Sequence, residues 1–256
     1  MLPPSEGKAA PERGRRFDPG ALSHPELAGP REQVLQALIR ASAGADATTR
    51  LRFGASLAEQ VEANTRLRDA RAAPAAQVYS GVLYDAAGLV NLSGTARRRS
   101  NSSVRIVSAL WGVLRPDDAI PAYRLSMSTP LQPLAPLGTF WSRHLGGALD
   151  PGGSDVVLDC RSQDYARAWS PAPDREWLAV RVVAIRSGRP VVVSHHAKHT
   201  RGVLTGHLFR RPEPLPRTAA GVAAAAAELI GPVLADVGLH PPVRSGPATL
   251  ELVLSD

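Results

Sequence analysis

The chain has 256 residues, 44% hydrophobic and 21% charged, enough to bury a core as one large domain or two small ones. Its single cysteine, Cys160, excludes an internal disulfide and fits a reducing compartment. The net charge of +7 suits phosphate backbones and anionic ligands, although an Arg-, Ala- and Pro-rich composition also carries such a surplus without function.

The basic residues are lopsided. Lys8 and Lys198 are the only lysines; every other cation is Arg. An ammonium can lose its proton when buried and a guanidinium cannot, so these two positions are candidates for work that Arg cannot do.

At the start, Met1–Leu2 runs straight into a Pro-Pro-Ser-Glu-Gly-Lys turn, so no signal peptide is expected. Only two residues precede this turn, and the strand that would deliver it is either very short or clipped. The spacing of Val34, Leu35, Leu38 and Ile39 predicts a helix over Pro30–Ser42, opened by Arg31 and Glu32. Leu51–Ala73 reads as a more polar helical stretch, with Leu57, Val61 and Leu67 on one side and Asn64, Arg66, Arg68 and Arg71 on a solvated face. Pro74–Leu89 reads as a short approach to a helix. Ser80 in its Tyr79-Ser80-Gly81 cluster caps a helix or donates to an anion.

Gly94–Ser103 is polar, and Arg97 to Arg99 read as a solvated face or as phosphate contacts. Val104–Leu110 is a β-branched strand candidate. From Ile106 to Met127 an apolar run passes through Gly112 and an Arg-Pro turn into Pro-Ala-Tyr-Arg-Leu. Arg115, Asp118, Tyr123 and Arg124 thus stand beside an apolar wall, a mixture that a pure core segment does not need. Phe140-Trp141 opens a short helix. Asp155–Leu158 reads as a strand, so the polar groups from Asp159 to Tyr165, Ser162 among them, emerge at a strand end where α/β folds bind ligands. The same loop could equally be ordinary, with Tyr165 packed beneath it and Cys160 an inert core thiol.

Trp177–Arg186 and Pro190–Ser194 read as strands joined by a Ser187-Gly188 turn. Ser194–Arg211 reads as a helix that puts Lys198 and Arg201 on one face, an anion site in which the neighbouring cation favours an amine nucleophile. His195 and His199 are also four apart, but no third ligand lies at a recognisable spacing, so no metal and no cofactor is expected. Ala219–Val237, interrupted by Glu228, Pro232 and Asp236, reads as an Ala-rich helix and not a membrane span. Thr249–Leu254 is a final strand. Walker, Gly-x-Gly-x-x-Gly and paired-Cys zinc patterns are missing.

Taken together, PPSEGK (Pro3–Lys8), VYSG (Val78–Gly81), LWGVLRPDDAIPAYRLSM (Leu110–Met127) and SHHAKHTRG (Ser194–Gly202) resemble the bacterial YaaA family of peroxide stress proteins, also called DUF328 or UPF0246. Phe140-Trp141 and the Arg161–Tyr165 segment fit as well. The resemblance runs from residue 3 to about 209; residues 210–256 are Pro- and Ala-rich and match poorly. It implies a mixed α/β (α+β) fold over residues 1–256, a single compact domain whose mixed sheet is surrounded by helices. It also implies a helix-hairpin-helix-like element and a basic cleft. Leu110–Pro116 is the stretch placed at the helix-hairpin-helix turn. Gly206 departs from the family, which often has a basic residue there.

By resemblance, the protein is a cytoplasmic DNA-binding protein that limits peroxide damage, in part by lowering available iron. Its partner is duplex or distorted DNA, with no membrane involved. Lys8, Arg115, Arg124, Lys198 and Arg201, with Ser162 and Tyr165, would hold DNA or another anion, while Tyr123 or Trp141 stacks on a base. The alternative is an enzyme on a nucleobase or damaged nucleic acid. Lys198 would then form a Schiff base, Asp118 act as acid or base, and Tyr123 orient the substrate. An iron-handling role would require the histidines, Asp118 and Asp159 to converge.

Overall fold

The computed structural model describes residues 1–149, 155–186, 189–192, 194–243 and 246–255. Helix α1, Ala28–Ala41, buries Val34, Leu35, Ala37, Leu38 and Ala41 at the predicted spacing. Arg31 does more than open this helix. It is buried, and it donates through Nε to the Trp111 carbonyl (2.9 Å) and through Nη2 to that of Val113 (2.8 Å). The stretch expected as one polar helix is broken into a 3-10 turn, a helix at Ala58–Ala63 and a second turn at Asn64–Arg66. Asn64 is fully buried, not solvated, because its amide bonds both the N–H and the C=O of Arg124, at 2.8 and 2.9 Å.

Helices α2 (Val82–Ala87) and α3 (Gly94–Ser103) follow; α3 carries the arginine run that composition left as loop or face. Strands β1 (Ile106–Ser108) and β2 (Gly112–Leu114) then form an antiparallel hairpin. This corrects the expected helix-hairpin-helix turn, since the elements flanking Gly112 are strands. Gly112 has φ +70°, and a Cβ there would stand 2.6 Å from the Trp141 ring. That ring, on helix α4 (Leu137–Ser142), is fully buried and donates its indole N–H to the Ala109 carbonyl at 2.8 Å. Glycine is therefore required here by backbone and packing together.

The main sheet comprises β3 (Val157–Asp159), β4 (Trp177–Arg186), β5 (Arg189–Val192), β6 (Leu234–His240) and β7 (Ala248–Leu254). Its order is β3-β4-β7-β6, with β5 antiparallel to β4; the β3–β4 and β4–β7 pairs are parallel and β6–β7 antiparallel. The expected Ser187-Gly188 turn lies outside the described residues. Met1 and Leu2 join the hairpin to this sheet. Leu2 exchanges backbone bonds with Arg105 and Val107, and the Met1 carbonyl accepts from Cys160.

Helix α5, Ser194–Arg210, packs on α2 through Gly202 and Gly206. A Cβ at Gly202 would stand 2.8 Å from that of Ala86, and one at Gly206 would stand 2.5 Å from the Ala87 carbonyl oxygen. No basic side chain fits at Gly206. The expected long Ala-rich helix stops early: α6 spans Ala219–Ala227, and β6 follows a turn through Gly231 at φ +98° and Pro232. Among the described residues no helix is long and apolar enough to cross a membrane. The architecture is mixed α/β, as expected.

Candidate functional site

Two of the recognised motifs are structural partners. The Pro3–Lys8 turn lies along Val78–Gly81. The Ala9 N–H donates to the Val78 carbonyl (2.8 Å), the Ser80 N–H donates to that of Gly7 (3.2 Å), and the Ser5 hydroxyl donates to the Ser80 carbonyl. Gly81 has φ +115°, and a Cβ there would lie 3.1 Å from the Ser5 oxygen. The Tyr84 hydroxyl holds the Pro3 carbonyl from below, at 2.8 Å. Ser80 is thus committed through its backbone to the turn that carries Lys8.

This turn delivers the Lys8 amine to an aromatic wall. Its Nζ lies 4.4 Å from the Tyr123 ring centroid and 5.6 Å from that of Tyr79, and it donates to the Ser5 carbonyl at 2.7 Å. The ring face and the carbonyl favour an ammonium. Burial opposes it more strongly and brings Lys8 down from 10.5 to about 7; Glu6 pulls upward and Arg124 downward.

The wall is rigid because its hydroxyls are ordered. Ser108 Oγ accepts the N–H groups of Leu110 and Trp111, at 3.2 and 3.0 Å, which uses both of its lone pairs. Its proton must then go to the Tyr123 oxygen at 2.8 Å, and Tyr123 donates in turn to Tyr79 at 2.9 Å. Burial pushes Tyr79 up to about 12 and Tyr123 well above its ordinary value, so both are phenols at neutral pH.

Arg124 closes the group. Its backbone is clamped by Asn64, its guanidinium lies over the Phe53 ring, and it bonds the Glu6 carbonyl (2.9 Å) and carboxylate (3.1 Å). Only 15% of the side chain is exposed, and its buried Nε has no partner among the described residues. Tyr165 is buried nearby. Burial raises its pKa first, and the Glu6 charge adds to that.

Lys8, Arg124 and Tyr165 therefore gather around Glu6, with the Tyr123 ring against Lys8. The other candidates do not join them through any bond among the described residues. Asp118 is buried and accepts from the Ser23 N–H and hydroxyl (2.9 and 2.7 Å) and the Arg115 N–H (2.7 Å), so its carboxylate anchors a turn. Arg115 lines a separate open depression of about 250 Å³ with Arg97, Arg98, Asn101 and Asp117. Ser162 is exposed at the start of a short helix. Arg201 donates to the Val180 carbonyl of β4 at 2.8 Å. Lys198 is exposed. Helices α2 and α5 run in the same direction, with Gly202 beside Leu83 and Ala86, and Gly206 beside Ala87.

Other expectations resolve on the remaining side chains. Trp141 and Tyr123 are buried, so neither offers a free face to a base. Burial pushes the Cys160 thiol up, as befits a core thiol. Asp159 is bound by the Arg161 guanidinium through two bonds (2.8 and 2.7 Å), by the Arg161 N–H (3.0 Å) and by the Trp177 indole. The His195 side chain lies outside the described ones. Among the described residues no group of three or more His, Cys, Asp or Glu is placed to hold a metal. Sequence reasoning missed Glu6, Ser108 and Asn64. Glu6 was visible as the lone acid of the lysine turn, but the other two had no local signal.

Residues 1–213 match the family model described as "Peroxide stress protein YaaA". A UPF0246 protein of Streptomyces coelicolor is 41% identical over 212 residues, spanning 82% of this chain and 82% of that protein. One from Corynebacterium efficiens is 37% identical over 216 residues, or 83% of this chain and 85% of its own. One from Corynebacterium glutamicum is 34% identical over 209 residues, spanning 80% and 82%. With the motif turns paired in space and most of the chain matched, this protein belongs to the YaaA family of peroxide stress proteins, the UPF0246 proteins.

Proposed function

We propose that the protein binds DNA during peroxide stress and that this helps limit iron-dependent oxidative damage. The observation that supports it is the meeting of Lys8 and Arg124, cations from remote segments held side by side against a tyrosine wall. Like charges at close quarters are held at a cost that a bound anion relieves. Glu6 offsets one of them and leaves the second charge for a phosphate oxygen to balance. The Arg97, Arg98 and Arg115 depression supplies further phosphate contacts on the surface.

Fluorescence anisotropy with duplex, single-stranded and bulged DNA over a salt series tests this reading. Contacts to two or three phosphates give a log–log slope of roughly −2 to −3. Undetectable binding to all three DNAs at low salt overturns it. The iron part is tested in cells, where deletion should raise chelatable iron after peroxide exposure.

A further inference from the structure

The sequence pointed to amine chemistry at Lys198, but the surroundings that suit it are those of Lys8. No carboxylate bonds Lys8: the nearby Glu6 carboxylate pairs with Arg124, and the one hydrogen bond of the amine among the described residues goes to the neutral Ser5 carbonyl. Tyr79 and Tyr123 stay phenols, so the wall beside the amine adds no negative charge. A lysine kept only for its charge would be paired or exposed, and in this chain it would be Arg. The Arg124 guanidinium, held over this turn by Glu6, is the cation beside the amine for the anionic part of a substrate.

We propose that Lys8 is a reactive amine that condenses with a phosphate-bearing aldehyde, beside the Tyr123 ring and Arg124 at the end of the Pro3–Lys8 turn. The uncharged nitrogen forms the C–N bond to the carbonyl carbon. One of its two protons goes to the carbonyl oxygen, giving a carbinolamine. The second leaves with that oxygen as water, and an imine remains; no oxidant or reductant takes part. Such aldehydes come from two sources, the open sugar of an abasic site in DNA and free sugar phosphates. The DNA source rests on the DNA-binding reading above, and the amine chemistry does not.

Borohydride reduction of the imine followed by peptide mapping tests this on the full chain. Three probes are used: an abasic oligonucleotide, the same oligonucleotide with a tetrahydrofuran in place of the aldehyde sugar, and glyceraldehyde 3-phosphate. With two lysines in the chain, the background is small. An adduct is expected on Lys8 at least about tenfold above Lys198, with the reactive fraction rising roughly tenfold from pH 6 to pH 8. Lys8→Arg should abolish trapping of both aldehydes, since a guanidinium keeps the charge and cannot form the imine. Should that variant fail to fold, the wild-type peptide map decides alone. No adduct with either aldehyde, or one on Lys198 or the terminal amine instead, overturns the proposal. Binding of the tetrahydrofuran oligonucleotide without any trapping sinks the amine chemistry alone. Trapping of glyceraldehyde 3-phosphate on Lys8 without DNA binding sinks the DNA reading alone.

Discussion

Lys8 and Lys198 look alike in the sequence, each a rare lysine in a recognised motif, yet they stand in opposite surroundings. Lys8 is assembled into its site by the Pro3–Lys8 turn, Val78–Gly81, the β1–β2 hairpin with Ser108, and the Tyr123-Arg124 segment. Lys198 sits on the exposed face of one helix. A site built from many segments can desolvate a charge and hold it against a wall, and one helix face leaves it in water. Burial, not motif membership, separates a lysine that can react from one that can only attract.

The contrast can be broken most severely from behind the wall. Gly112→Ala forces a Cβ into the Trp141 ring at a left-handed backbone position and should cost about 3–4 kcal/mol of stability. Urea unfolding measures it, and a loss under 1 kcal/mol would show that Trp141 yields easily. Next comes the half-buried charge. The folded state holds Lys8 at about 7 against 10.5 when free, so stability climbs as pH rises between those values and is flat below the lower one. Lys8→Met should therefore stabilise the protein by on the order of 2–3 kcal/mol at pH 6, an advantage that fades toward pH 10. Thermal melts across that range settle it; a pH-independent difference contradicts a desolvated Lys8.

Tyr123→Phe removes the acceptor of the Ser108 proton and the donor to Tyr79, and should cost about 1–2 kcal/mol. The same variant keeps an aromatic face beside Lys8, so trapping at Lys8 should survive. If trapping vanishes while the fold holds, the hydroxyl has a chemical part and not only a supporting one. The smallest effect belongs to the other lysine. Lys198→Ala should change stability by no more than about 0.5 kcal/mol and, where Lys198 meets a phosphate, should lower the salt slope by about 0.9.

Much of the fold was readable because the periodicity was strong. The α1 face, the paired strands at Trp177–Val192, and the helix holding Lys198 all emerged close to their predicted limits. Misreadings fell where local signals point the wrong way. Apolar residues run past Ala227 as if a helix continued, but Gly231 and Pro232 end it and pairing with β7 draws Leu234–His240 into a strand. Asn64 looks like a surface residue until the Arg124 backbone arrives to bond its amide. A Gly after an apolar run fits a helical hairpin as well as a β-turn, and only the pairing of Ile106–Ser108 with Gly112–Leu114 decides for the second.

By itself the sequence determined the family, the mixed α/β class and the motif residues, because these depend on residue types at fixed spacings along the chain. It also marked Lys8 as unusual, since a chain rich in arginine spent one of two lysines there. Only the tertiary structure decided which motif residues meet: Lys8 lies against the Tyr123 ring and Arg124 pairs with Glu6, while Asp118 is taken up by Ser23 and the Arg115 backbone. The reason is that desolvation and hydrogen-bond commitment are set by neighbours distant in sequence, and no local pattern records them.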